Sequence, residues 1–129
     1  MRTLNTNLLL FLALTLLKIQ MATAFHVYVI NNLGDYTNLT AHCRSKETDL
    51  GTRVLEFGAA FDWDFDLGHG FEYWCDMSWA VSHGDFQVFY EPKDAERCGD
   101  QKCYWRIDRD GLYLYIKSED DYKLQFTWP

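Results

Sequence analysis

The sequence predicts an all-β fold, an antiparallel, immunoglobulin-like β-sandwich of about eight short strands stapled by two disulfides. A closed barrel is the alternative. Three observations carry this. Apolar and polar residues alternate at period two through most of the chain, as half-buried strands require. No run repeats apolar residues convincingly at helical spacing, so essentially no helix is expected. The chain is also rich in strand-forming aromatics, with 9 Phe, 8 Tyr and 5 Trp among 129 residues.

Residues 1–24 stand outside that pattern. Met1-Arg2 supplies a positive start, Leu8 to Leu17 is an apolar-to-small run, and Ala22-Thr23-Ala24 gives the small-x-small pattern accepted by signal peptidase. The order is that of a secretory signal peptide, with cleavage expected before Phe25. A membrane anchor needs about 20 apolar residues, and Lys18 and Gln20 interrupt this run too early. The expected organisation is therefore a signal peptide over 1–24 and one β-sandwich domain over 25–129. After Phe25, the longest stretch free of Asp, Glu, Lys and Arg is ten residues, Phe25 to Gly34. No membrane insertion of the mature chain is expected, and its predicted location is extracellular.

The mature chain opens with a strand over Val27 to Ile30, closed by the turn-rich Asn31-Asn32-Leu33-Gly34. Thr37 to Arg44 alternates, with Leu39, Ala41 and Cys43 on one face. Phe61, Trp63, Phe65 and Leu67 alternate with Asp62, Asp64 and Asp66. Phe71, Tyr73, Cys75, Met77 and Trp79 share the next face. Phe86 to Tyr90, Cys103 to Ile107, Leu112 to Ile116 and Tyr122 to Trp128 complete the set. Breaks fall at Gly34, Gly51, Gly68/Gly70, Gly84, Gly99 and Gly111. Hairpin turns are expected at Ser82-His83-Gly84-Asp85 and Asp108-Arg109-Asp110-Gly111.

Secretion decides how Cys43, Cys75, Cys98 and Cys103 are read. An even number of cysteines in an oxidising setting predicts two disulfides. Structural zinc wants close cysteine pairs, and only Cys98 and Cys103 lie near each other. Of the three pairings, Cys43–Cys103 with Cys75–Cys98 is preferred because both bridges join distant segments; a local Cys98–Cys103 bridge stays open.

Charge and motif content exclude several functions. The net charge is −7 and becomes −9 once Arg2 and Lys18 leave with the signal peptide. That disfavours nucleic acid and anionic lipid as partners. Asp62-Trp63-Asp64-Phe65-Asp66 mimics the start of a calcium loop. However, Leu67 and Tyr73 stand where that loop needs Gly and a bidentate acid. His26, His42, His69 and His83 show no metal-ligand spacing. No nucleophile elbow, phosphate loop or zincin motif occurs, and nothing singles out an acid pair for glycoside hydrolysis. The expectation is a non-enzyme with no metal and no cofactor. Asn38-Leu39-Thr40 is the one glycosylation sequon of the mature chain, making Asn38 a candidate glycosylation site.

His42-Cys43-Arg44-Ser45-Lys46, followed by Asp49-Leu50-Gly51, resembles the plant self-incompatibility protein S1 family, the S-protein homologues. The likeness continues through Phe57-Gly58, Phe61 to Phe65, and Phe71 to Trp79 around Cys75. It ends in Asp94, Arg97-Cys98, Cys103-Tyr104-Trp105 and Gly111. The resemblance implies a small secreted plant protein with a β-sandwich, two disulfides and no catalytic activity. Its best-understood members are pistil-borne ligands perceived by a pollen surface receptor, a form of cell-cell signalling.

Two charged loops suit such display, because loops carry binding while strands carry stability. Arg44 to Arg53 holds Lys46, Glu47 and Asp49; Glu91 to Arg97 holds Lys93, Asp94, Glu96 and Arg97. These seven residues are the candidates for reading a receptor's complementary charges, although Asp49 and Gly51 also suit the turn itself. The expected partner is a plant cell-surface receptor, met by a monomer. The alternative function is a secreted carbohydrate-binding or defence protein working through Trp74 and Tyr104, which lie opposite the apolar faces of their strands.

Overall fold

The period-two alternation builds two packed sheets in a computed structural model that describes residues 5–21, 24–66 and 72–129. The order is α1 (Thr6–Met21), β1 (Ala24–Asn31), β2 (Leu39–Arg44), β3 (Asp49–Leu55), β4 (Ala60–Asp66), β5 (Glu72–Trp79) and β6 (Ser82–Tyr90). Then follow α2 (Glu91–Arg97), β7 (Lys102–Asp108), β8 (Gly111–Ile116) and β9 (Asp121–Thr127). One sheet has the order β4-β1-β7-β8-β9 and the other β3-β2-β5-β6. The sandwich is thus open rather than a closed barrel. It is immunoglobulin-like in the loose sense of two packed sheets.

The core lies between the sheets. Val27, Val29, Trp105, Ile107, Leu112 and Leu114 face it from one side, and Leu39, Ala41, Met77, Val88 and Phe89 from the other, all almost wholly buried. Full burial of each Val, Leu, Ile, Met or Phe side chain among them is worth about 1.5–3 kcal/mol. Trp105 adds a polar link between the sheets, its indole N–H donating to the Val88 carbonyl at 2.8 Å. Phe25, Phe65 and Phe89 close one end of the core, with ring centroids 4.7–6.4 Å apart.

Several expectations are corrected. β3 forms where a loop was expected, because β2 supplies a paired edge for a segment that buries almost nothing itself. The second charged loop is the short helix α2, with Pro92 in its first turn. The sheet is not wholly antiparallel, since β1 and β7 run parallel. The connection through β6 and α2 is long enough to bring the chain back in the same direction. The turn expected at Ser82 to Asp85 lies earlier, at Ala80-Val81, where Ala80 adopts φ 46°. Gly84 instead sits inside β6, and the Phe86 ring occupies the space a side chain there would need. The turn at Arg109-Asp110 is where the sequence places it. The breaks at Gly68/Gly70, and Leu67 and Phe71, lie outside the described residues, as do Ala22 and Thr23 of the cleavage motif.

The preferred cysteine pairing is also corrected. The bridges are Cys43–Cys75 and Cys98–Cys103. Cys43 and Cys75 stand directly opposite each other on neighbouring strands β2 and β5, whereas Cys103 belongs to the other sheet. Parity alone puts all three on inward faces and does not tell which sheet each joins.

The two bridges close loops of very different length, with sequence separations of 32 and 5. Loop entropy assigns them about 3.7 and about 2 kcal/mol respectively. Replacing Cys43 and Cys75 by Ala should therefore lower the unfolding midpoint more than replacing Cys98 and Cys103. Equal losses in denaturant titrations, or a peptide map joining Cys43 to Cys103, would contradict this.

Candidate functional site

β1 alternates inward at Val27 and Val29, and the next inward position is Asn31. A carboxamide there is wholly buried and must find partners. Its Nδ2 donates to the Thr37 carbonyl at 2.9 Å and to the Leu55 carbonyl at 2.8 Å. Its Oδ1 accepts from the Leu33 N–H at 2.8 Å. The backbone of Asn31 donates to the Ala59 carbonyl and accepts from Gly58 N–H. One residue thus ties the β1–β2 loop to the β3–β4 turn. Arg109, from the β7–β8 turn, braces the same loop. Its Nε donates to the Leu33 carbonyl at 2.6 Å and its Nη2 to Thr37 Oγ1 at 2.9 Å, while its guanidinium lies 5.2 Å over the Trp79 ring.

These fixed loops enclose a shallow depression of about 600 Å³, lined by Asp35, Tyr36, Asn38, Glu56 and Phe57. Thr37 N–H donates to the Gly34 carbonyl and closes a turn. Tyr36 sits in that turn at φ 60°. A left-handed conformation costs a non-glycine residue on the order of 1–2 kcal/mol, and here it holds a fully exposed aromatic ring (104% relative exposure) in solvent. Phe57 is exposed beside it. Asn38, expected on a strand, lies just before β2 and is exposed.

The charged candidates gather at the opposite end of the sandwich. Arg44 closes β2 opposite Trp74, and Tyr90 closes β6 opposite Glu72. The β2–β3 loop and α2 therefore leave the same end of their sheet. Lys46, Glu47, Lys93 and Glu96 are exposed there. The other three candidates are engaged within the fold. Asp94 is corrected from a surface group to a buried one, 2% exposed. It accepts from Tyr90 N–H at 2.7 Å and from Arg97 at 2.5 Å, and Arg97 also donates to Gln125. Asp49 accepts from Gly51 N–H at 2.8 Å and pairs with His42 at 2.6 Å. Those two hydrogen bonds, the Gly51 one foremost, hold its carboxyl below the ordinary carboxylate value. Gly51 takes φ 80°, a conformation glycine adopts freely.

Trp74 and Tyr104 are half-buried, and each already has a ring face occupied. The Arg44 guanidinium lies 6.0 Å over Trp74 and is itself bidentate on Asp85. Tyr104 stacks on Tyr28 at 4.7 Å, and His26 stacks on the far side of that pair. Across the sheet, Tyr104, Tyr115 and Tyr122 line one shallow apolar depression, with Tyr115 edge-on to Tyr122. The Tyr28–Tyr104 stack joins cross-strand partners, which is the packing role such pairs have in a sheet.

His26, His42 and His83 each pair with one aspartate, Asp62, Asp49 and Asp76, at 2.6–2.8 Å. His69 lies outside the described residues. Among the described residues no His, Cys, Asp or Glu side chains gather in threes to hold a metal. Asp62, Asp64 and Asp66 are exposed along β4 and form no loop.

Sequence reasoning missed Asn31, Tyr36 and Phe57. Asn31 was legible by parity, as a polar residue on an apolar face. Tyr36 and Phe57 were legible as aromatics placed in turn segments beside Asp35 and Gly58.

Residues 26–128 match the profile of a family described as plant self-incompatibility protein S1. S-protein homolog 1 of Arabidopsis thaliana is 35% identical over 107 residues, covering 81% of this chain and 71% of its own. Self-incompatibility protein S1 of Papaver rhoeas is 32% identical over 102 residues, covering 76% and 73%. A solved structure described as SPH (self-incompatibility protein homologue), from a widespread family of small, highly stable, secreted plant proteins, has a TM-score of 0.65. It is 17% identical and covers 82% of this chain and 95% of that one. At that identity the likeness is one of fold.

The outer sheet face makes a pH-dependent prediction. Tyr113 donates to Asp110 at 2.7 Å and Tyr115 donates to Asp120. Each carboxylate, as the leading cause, raises the pKa of its phenol above the ordinary value of 10.0. The stabilisation is therefore complete below the unfolded value and is lost as pH rises through the higher folded one. Ultraviolet titration of phenolate should show Asp110→Asn and Asp120→Asn each moving one tyrosine to earlier ionisation. Unchanged titration curves would contradict the assignment.

Proposed function

This chain belongs to the plant self-incompatibility protein S1 family, and we propose that it is a secreted ligand perceived by a protein receptor on a plant cell surface. The reading of residues 1–24 as a signal peptide supports secretion. Leu8 to Leu12 of α1 stand exposed to solvent, a poor arrangement for a segment kept in the mature protein. Among the described residues no helix is long and apolar enough to cross a membrane. Cleavage before Phe25 trims β1 by the single pair Ala24–Asp66.

The receptor reading rests on one observation. Of seven charged candidates, Asp49, Asp94 and Arg97 are engaged by the fold, while Lys46, Glu47, Lys93 and Glu96 remain exposed at one end of a bridged scaffold. Two cations and two anions fixed on a rigid frame select a partner of complementary charge pattern, and they steer its approach. The activity is binding rather than catalysis. The carbohydrate-binding alternative is weaker, because the rings it needs, Trp74 and Tyr104, are each covered on one face.

Labelled protein should bind intact plant cells saturably and in a protease-sensitive way. Reversing all four charges (Lys46→Glu, Glu47→Lys, Lys93→Glu, Glu96→Lys) leaves the net charge unchanged. It should weaken binding by about tenfold or more, mainly through slower association, with an unchanged unfolding midpoint. Lack of saturable binding on every tissue tested would refute the receptor. Binding abolished by free sugars would favour the carbohydrate reading.

A further inference from the structure

We infer that Asn38 carries an N-linked glycan whose first N-acetylglucosamine lies in the depression against Tyr36 and Phe57. Four observations converge on this place. Asn38-Leu39-Thr40 is an acceptor sequence. Asn38 is exposed and lies in an irregular segment between β1 and β2, where an enzyme-built substituent meets no ladder partner. The depression of about 600 Å³ beside it falls in the size range of small-ligand sites. Two of its five lining residues are aromatic, exposed and otherwise unaccounted for by the core.

The chemistry of the lining fits a sugar. One face of an N-acetylglucosamine ring presents C–H groups and packs on an aromatic face, which Tyr36 offers two residues before Asn38 and Phe57 offers from the facing turn. Asp35 and Glu56, the remaining lining residues, are acceptors for the sugar's hydroxyl and acetamide N–H donors. The same carboxylates repel a phosphate or any other anion. Exposed large apolar side chains grouped in one place call for a cover. A glycan covers them from within the chain.

The platform is held before the sugar arrives. Asn31 and Arg109 both grip Thr37, the residue between Tyr36 and Asn38, and Gly58 N–H ties the Phe57 turn to Asn31. The sugar therefore meets preplaced rings and orders little protein on docking. This also gives a use for the left-handed backbone at Tyr36.

The covalent step takes place in the secretory route on a lipid-diphosphate-linked oligosaccharide. The Asn38 Nδ2 forms a bond to C1 of the first sugar as the C1–oxygen bond to the diphosphate breaks. The lipid diphosphate leaves with the electron pair of that bond, and one amide proton is released. No redox change occurs.

The proposal rests on the secretion part of the reading above, and the test separates the two. The full chain is produced in plant cells as wild type, Asn38→Gln and Tyr36→Ala, and recovered from both medium and cells. Intact mass should show a glycan on wild type and Tyr36→Ala, absent from Asn38→Gln. Enzymatic removal of the glycan should lower the wild-type midpoint by roughly 4 °C and leave Tyr36→Ala unmoved. A bare chain in the medium overturns this proposal alone. A bare chain kept in the cytosol overturns it together with secretion. A glycan whose removal shifts both proteins equally, or shifts neither, overturns the contact with Tyr36.

Discussion

The buried carboxamide of Asn31 is the constraint on which the binding end of this sandwich depends. β1 belongs to the five-stranded sheet, whereas Leu55 ends β3 and Thr37 leads into β2 in the four-stranded sheet. The hydrogen bonds of one side chain therefore join two layers that otherwise meet mainly through apolar contact, with the Trp105 indole N–H on the Val88 carbonyl as a second polar link. Each partner left unsatisfied in a buried place would cost about 1–3 kcal/mol, so the group is worth more as a set than bond by bond. Arg109 repeats the logic from β7–β8, reaching the same loop while covering Trp79 of the opposite sheet.

The two ends of the sandwich consequently differ in kind. The end braced by Asn31 presents an aromatic depression with a carboxylate rim. The other end is closed by the Phe25, Phe65 and Phe89 rings and by α2, whose buried Asp94 caps Tyr90 N–H and holds Arg97. There the display is mainly of charge, with Tyr90 exposed beside it. Between them the strands carry stability, and the Cys43–Cys75 bridge links two strands already in register within one sheet. A small secreted domain gains from such covalent ties, because its core buries a limited fraction of its surface.

Much of this was legible in the sequence, and what was not has physical reasons. Inward parity places Val27, Val29, Leu39, Ala41, Cys43, Tyr73, Cys75 and Met77 correctly. β3 escaped because Asp49–Leu55 is an exposed edge strand whose burial shows no alternation; pairing with β2 makes it a strand, and pairing is a property of two segments. α2 escaped because seven residues give too few turns to show a helical period. The bridges escaped because alternation tells a face but not a sheet. Asp94 looked like one more surface charge, and only the fold shows that it satisfies a backbone N–H at the start of α2. Of the binding surface, residue types were readable but their gathering was not: Tyr36 and Phe57 lie 21 positions apart and meet across two loops.

Native-state hydrogen exchange tests the central claim most directly. The Asn31 side-chain amide protons and the Leu33 and Gly58 backbone amides should exchange about as slowly as the core amides of β1, since all are held in one hydrogen-bonded set centred on buried Asn31. Exchange of these protons at the rate of exposed loop amides, with β1 still protected, would contradict the account.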